Sequence, residues 1–320
     1  MKTNLEKEKN YTPQQESIIE EIIDSLSKVQ KSLPCKFFYD ERGSDLFEQI
    51  VDLDEYYLAR TEISIMNDNI GEISELIGES CILIEPGSGS ANKIKILLEN
   101  LKTPSAYIPI DISETYVKDS THNLSKYYPA LKIVPIIADY TSDFKLPEFN
   151  FNYNKLVVYY PGSTIGNFSP DEARDFLKKI AHMTGKNNYL LIGVDLKKEK
   201  DTLERAYNDA KGITEKFNIN ILSNLNNLIE SDFITDRWSH KAFFNEDESR
   251  VEMHLVSKEN QTVKLNGYAV DFHKGETIHT ENSYKYGIDE FCNLVSKEYK
   301  LNKFWTDKKK NFAVLLFQSI

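Results

Sequence analysis

Cysteine is scarce. Cys35, Cys81 and Cys292 are the three present in 320 residues, widely separated and outside any C-x-x-C, which argues against both a disulfide framework and a zinc ribbon. They read as plain thiols. The histidines (His122, His182, His240, His254, His273 and His279) show no H-E-x-x-H and no paired short spacing, so no metal is expected. No apolar run approaches the ~20 residues of a membrane span; the longest, 81–84, 156–160 and 313–317, read as buried strands. Residues 1–10 mix Lys and Glu without an apolar core, so no secretory signal is expected and the chain is placed in the cytoplasm. Positive charge is outnumbered, with Lys+Arg 39 against Asp+Glu 50 and a net charge of −11. Phosphate backbones and anionic membranes are repelled on average, so neither is expected as a partner.

What is plentiful is aromatic: Tyr 18 and Phe 17, more than a surface needs, pointing to rings in a core or a small-molecule pocket. Residues 34–61 are crowded with them. Thr12 as N-cap, Pro13 at N1 and Gln15 at N3 open a helix whose Ile18, Ile19, Ile22, Ile23, Leu26 and Val29 share a face. From Cys81 the pattern alternates: strand 81–85, a glycine turn, a helix through Ile94, Leu97, Leu98 and Leu101, then strand 106–111. Further strands at 133–138, 156–160 and 189–194, with a helix capped by Ser169-Pro170-Asp171-Glu172, predict a doubly wound, mostly parallel sheet. After Asp195 the character changes to helical patterns over 203–229 and a period-2 run at Val251, Met253 and Leu255, which reads as α+β with antiparallel strands. No repeat or low-complexity linker separates the two parts.

The loop EPGSGSANK at 85–93 sits where a first strand hands over to a helix, the place where backbone N–H groups meet a ligand. A Walker A loop would need Gly-Lys-Ser/Thr, and Asn92 and Ile94 flank Lys93 instead. A dinucleotide fingerprint would need a third glycine where Asn92 stands. S-adenosylmethionine (SAM) is the third candidate, its ribose gripped by an acid ending the second strand. Asp111 ends that strand at close to the ~20 residues expected beyond the glycines, and Asp139 ends the next, where it could accept from the adenine amino group. The alternative is that both carboxylates are ordinary caps.

Several long motifs in one order resemble the histidine-specific, SAM-dependent Nα-methyltransferases of ergothioneine biosynthesis, which make hercynine from histidine. They are KFFYDERGS at 36–44, EYYLARTE at 55–62, Gly87-Ser88-Gly89 with Lys93, PGSTIGNF at 161–168, AYND at 206–209, FNIN at 217–220, Glu252-Met253 and TENSYK at 280–285. The resemblance spans nearly the whole chain. It implies an α/β fold: a Rossmann-like SAM methyltransferase sheet over 62–196, with a second α+β substrate domain built from both chain ends, 1–61 plus 197–320. It puts Gly87, Lys93, Asp111, Asp139 and Tyr140 on the cofactor, which leaves as S-adenosylhomocysteine. It puts Tyr56, Asn167, Tyr207, Met253, Glu281, Asn282 and Ser283 around histidine, with Tyr39 and Asn167 serving the chemistry. Pro86 departs from the Leu expected in relatives and removes a donor from the loop.

The residues alone speak less sharply. Asn167 follows a buried strand and could emerge at the ligand-binding edge of the sheet, or be a turn or helix cap. Tyr207 could equally be a core ring, Met253 ordinary packing and Glu281 an exposed strand residue. The expected activity is trimethylation of the α-amino group of histidine, with an indole amino acid as the alternative substrate. The partner is a small amino acid, and the chain is expected to be a monomer.

Overall fold

The computed structural model describes residues 9–11, 15–88, 91–142 and 144–320, which form two compact units. Thr12, Pro13 and Gln14 of the expected first cap, and Gly89 of the glycine turn, lie outside the described residues.

The first unit comprises residues 1–12, 58–196 and 286–320. Among the described residues its sheet runs, in spatial order, Lys9–Tyr11, Ile136–Ala138, Ala106–Asp111, Cys81–Pro86, Lys155–Tyr160, Tyr189–Asp195, Phe312–Ser319 and Tyr299–Thr306. The first six are parallel and the last two antiparallel. The central strands are apolar along their whole length because both faces are covered: residues 81–84 are all 0% exposed. Chain order reverses at Cys81–Pro86, whose neighbours are Ala106–Asp111 on one side and Lys155–Tyr160 on the other. Such a switch point opens a crevice beyond the strands' carboxyl ends, where the chain leaves Pro86 at Gly87 and leaves Tyr160 at Pro161.

Sequence periodicity located most of these elements, with three informative departures. The expected strand 133–138 is two pieces, Lys132–Ile133 and Ile136–Ala138, split at Pro135, which cannot donate to a ladder. Residues 286–320, assigned above to the substrate domain, belong to the first unit, because Phe312–Ser319 pairs with Tyr189–Asp195 over seven residues. The first helix, Gln15–Ser27, stops before Val29, which is fully exposed while Ile22 and Leu26 are buried.

The second unit comprises residues 13–57 and 197–285. Its sheet, in order Lys31–Ser32, Thr277–Tyr284, Arg250–Ser257, Trp238–Asn245, is antiparallel except for the two-residue first strand. The helical stretch expected over 203–229 is two helices, Lys200–Tyr207 and Ile213–Ile229. The break comes at Gly212 with φ +66°, a conformation glycine adopts without strain. The carboxylate of Asp209 then accepts from Ile213 N at 2.9 Å and Thr214 N at 2.8 Å, satisfying the new helix's first donors. Phe217 stacks on Phe38 with centroids 4.5 Å apart and also meets the rings of Tyr39 and Phe47, so these aromatics of residues 34–61 pack on this helix.

Candidate active site

In the first unit, the strand Cys81–Pro86 ends in Gly87, whose φ of +68° turns the chain. A Cβ there would stand 3.2 Å from the Tyr140 ring, so the absence of a side chain lets Tyr140 lie against the turn. Gly87 N and Ser88 N both donate to Ile110 O, at 2.7 and 3.2 Å, which ties the turn to the end of the neighbouring strand. Ser88 Oγ is buried without a partner among the described residues. Asp111 and Asp139 occupy the expected strand ends. Each also makes the local bond its alternative reading anticipated: Asp111 Oδ1 accepts from Ser113 N at 3.0 Å and Asp139 Oδ1 from Thr141 N at 2.9 Å. Burial raises the Asp111 carboxyl above its ordinary range. Behind them Glu85 is buried against the Tyr107 hydroxyl, and burial pushes it up to about 8 despite that bond.

Lys93 is engaged in an ion pair. Its Nζ lies 2.6 Å from Glu62, whose carboxylate also accepts from Gly162 N at 2.9 and 3.0 Å. Sequence reasoning quoted Glu62 inside a motif but gave it no task. The signal was present: on the helix Tyr57–Ile77, Glu62 is four residues after Leu58 and three before Ile65, on the buried face. Asn167 closes the 3-10 turn Thr164–Asn167 and is half-buried; the helix cap is Ser169, with its capping box to Glu172.

In the second unit, Met253 faces Glu281, and Val251 faces Ser283, across one antiparallel pair. Strand alternation puts these four on one face. A cavity of about 20 Å³, room for about one water, opens on that face. Phe47, Tyr56, Tyr207, Phe217, Met253 and Glu281 are among the residues lining it. Tyr56 and Tyr207 meet edge-on at 6.2 Å, and Tyr39 sits edge-on to both Phe47 and Phe217. Tyr207 donates to Ser283 Oγ at 2.7 Å. Burial raises Glu281 to about 7, against the opposing charge of Lys285. Asn282 is the exception among the expected ring-side residues. It pairs with Glu252 on the opposite face, where its Oδ1 is buried without a partner among the described residues.

That opposite face carries a group no spacing announced. The pairing slips between Met253 and His254, leaving Thr280 as an extra residue, so His279 turns away from Glu281 and stacks on His254 at 4.6 Å and 9°. His254 bonds Glu252 at 2.9 Å, and Glu252 also accepts from Asn245 and Arg250. Potential ligand atoms of Glu252, His254 and His279 lie within 4.8 Å of one another. The rings are parallel, however, which sets their in-plane lone pairs side by side instead of converging.

The family described as "Histidine-specific methyltransferase, SAM-dependent" matches residues 18–319. The chain belongs to this family. It is 34% identical to a "Histidine N-alpha-methyltransferase" of Mycolicibacterium smegmatis, over 94% of both chains. It is 33% identical to the protein of that name in Mycobacterium tuberculosis, over 92% of this chain and 93% of the other. An "Ergothioneine biosynthesis protein 1" of Neurospora crassa is 32% identical over 81% of this chain, which covers 30% of that longer protein. This family member is therefore a SAM-dependent methyltransferase with the Rossmann-like sheet expected. The first unit's edge fits the cofactor: a glycine turn at the switch point, a carboxylate at each of two successive strand ends, and the orphaned Ser88 Oγ.

Proposed function

We propose that this protein methylates the α-amino group of L-histidine three times, giving hercynine. The observation that carries the reading is the Met253–Glu281 pair beneath an aromatic cavity, with Ser283 on the same face. An imidazole differs from a phenyl or indole ring in offering both an N–H and a bare nitrogen. A carboxylate and a hydroxyl two residues apart on one strand match that pair of groups, and Met253 supplies an apolar, polarisable surface for the ring. The family's description supports the same substrate class.

When bound, the cofactor supplies a methyl group on a sulfonium, so positive charge passes from sulfur to nitrogen and no oxyanion needs stabilising. Gly87, Asp111, Asp139 and Tyr140 are the residues proposed to hold it. The chain's own contribution is positioning, which contributes up to roughly 7–11 kcal/mol when reacting atoms are aligned. Asn167 is proposed to orient the α-amino acid end, since one amide can accept from an amine and donate to a carboxylate. The amine must arrive neutral, and at pH 7 an α-amino group with pKa ~8 is mostly protonated. Tyr39 is the proposed relay for that proton, and the Tyr56 and Tyr207 rings suit the cation that accumulates with each methyl.

Calorimetric titration of histidine, tryptophan and phenylalanine into the protein with S-adenosylhomocysteine tests the reading. Histidine should bind at least tenfold more tightly than the other two. Equal binding of all three would count against it, and preferred binding of tryptophan would favour an indole substrate.

A further inference from the structure

Lys285 is 1% exposed, and a lysine this deeply buried needs a reason. It closes the strand face that carries Glu281 and Ser283, four and two residues back, so all three side chains share one side. Its Nζ lies 2.7 Å from Ser283 Oγ and 3.5 Å from the Tyr207 hydroxyl, and 5.3 Å from the centre of the Tyr207 ring. The Tyr207 hydroxyl itself donates to Ser283 Oγ at 2.7 Å.

The hydrogen-bond count at Ser283 then closes. An ammonium has three donors and no acceptor, so Lys285 can only donate; a serine hydroxyl has two lone pairs and one proton. With one lone pair taken by Lys285 and the other by Tyr207, Ser283 has nothing left with which to accept. Its remaining capacity is its own O–H. Glu281 is the complement: its carboxylate is an acceptor when ionised, and while burial raises it to about 7, the Lys285 charge works against that rise.

We infer that Lys285 is a positioning residue for substrate specificity: by filling Ser283's acceptor sites it makes that hydroxyl an obligate donor, and with Glu281 as acceptor the site reads a neutral azole, one N–H and one bare nitrogen. This rests on the histidine reading above and goes beyond it by fixing the protonation state in which the ring is held. An imidazolium would present a second N–H to a group that can only donate, with an ammonium behind it. A ring with no bare nitrogen would leave the Ser283 proton unpaired in a buried site.

The test compares Lys285→Met with wild type on two substrates, histidine and thienylalanine, whose ring is similar in size but has no nitrogen. The inference expects kcat/KM for histidine to fall at least tenfold, mainly through KM, with thienylalanine turnover unchanged or raised. Ser283→Ala combined with Lys285→Met should be no worse on histidine than Ser283→Ala alone, because the lysine acts through the serine. Equal losses on both substrates, or additive losses in the double variant, would overturn it. Lys285→Leu, which likewise has no donor, repeats the comparison should the methionine variant fail to fold. A second measurement needs no variant: ¹⁵N spectra of ring-labelled histidine bound to wild type with S-adenosylhomocysteine at pH 8, above the value of about 7 for Glu281, should report one neutral tautomer, and a mixture of the two tautomers or an imidazolium would overturn the inference. Absence of histidine binding or methylation by wild type would instead sink the histidine reading itself, a separate outcome.

Discussion

Lys93 Nζ sits 2.6 Å from a Glu62 carboxylate that is itself only 1% exposed. The space for that carboxylate is made by Gly193, where a Cβ would fall 2.1 Å from Glu62 Oε1. A helix, the glycine loop's helix and the turn after Lys155–Tyr160 are thereby joined at one anion. The resemblance assigned Lys93 to the cofactor, whereas the ion pair gives it a structural task, and the two roles make different predictions.

Removing the lysine leaves a buried carboxylate with, among the described residues, the Gly162 N–H as its donor, and breaking a buried pair in this way typically costs 3–5 kcal/mol. Lys93→Ala should therefore lower the urea midpoint markedly, and Glu62→Gln in the same chain should recover part of the loss. Unchanged stability accompanied by loss of S-adenosylhomocysteine binding would return Lys93 to the cofactor.

Asp111→Ala should weaken cofactor binding more than it weakens the fold. Charge-assisted bonds to ribose hydroxyls would contribute about 1.5–3 kcal/mol each, against a local cap to Ser113 worth about 1 kcal/mol. Calorimetry with S-adenosylhomocysteine and a melting curve separate the two. Equal affinity in the folded variant would leave Asp111 as a cap alone.

The stacked histidines predict acid lability. Burial, then the neighbouring His254 charge, lowers His279 from 6.5 to about 4. Between those values the unfolded chain binds a proton that the folded one refuses, so stability is full above about pH 6.5 and falls as pH drops towards 4. The contribution is on the order of 3 kcal/mol. His279→Gln should flatten the urea midpoint between pH 6.5 and 5; an unaltered slope would show that His279 does not titrate with folding.

Glu281→Ala should cost histidine affinity while admitting larger, less polar rings. A recognition site that loses its charged acceptor gives up roughly 1.5–3 kcal/mol, about ten- to a hundredfold. Turnover of histidine, tryptophan and phenylalanine at fixed cofactor measures it, and an unchanged preference for histidine would remove Glu281 from recognition. Asn167→Ala should lower turnover and affinity together for all three, since its proposed contacts are with the shared α-amino acid end.

The first unit was legible because buried parallel strands are continuous apolar runs bounded by turn residues, and Ser169-Pro170-Asp171-Glu172 wrote its capping box plainly. The C-terminal strands were misassigned to the substrate part because pairing partners more than a hundred residues apart leave no local trace. Within the candidate site, strand parity alone groups Glu281, Ser283 and Lys285 and excludes Asn282, a signal available but not used. His279 shares that parity and yet faces the other way. The extra residue at Thr280, bonded to Asn218 Oδ1 at 2.7 Å and Met253 O at 3.1 Å, reverses the alternation, and nothing in the local sequence marks it as a bulge.

The central claim is histidine as the substrate and its α-amine as the nucleophile. The most direct measurement is mass spectrometry of histidine incubated with the protein and SAM, with fragmentation to locate the added methyl groups. The account predicts one, two and then three methyl masses, all on the α-nitrogen, ending in the trimethylated product. Methylation on the ring, a reaction that stops at one methyl, or methylation of tryptophan in preference to histidine would contradict it.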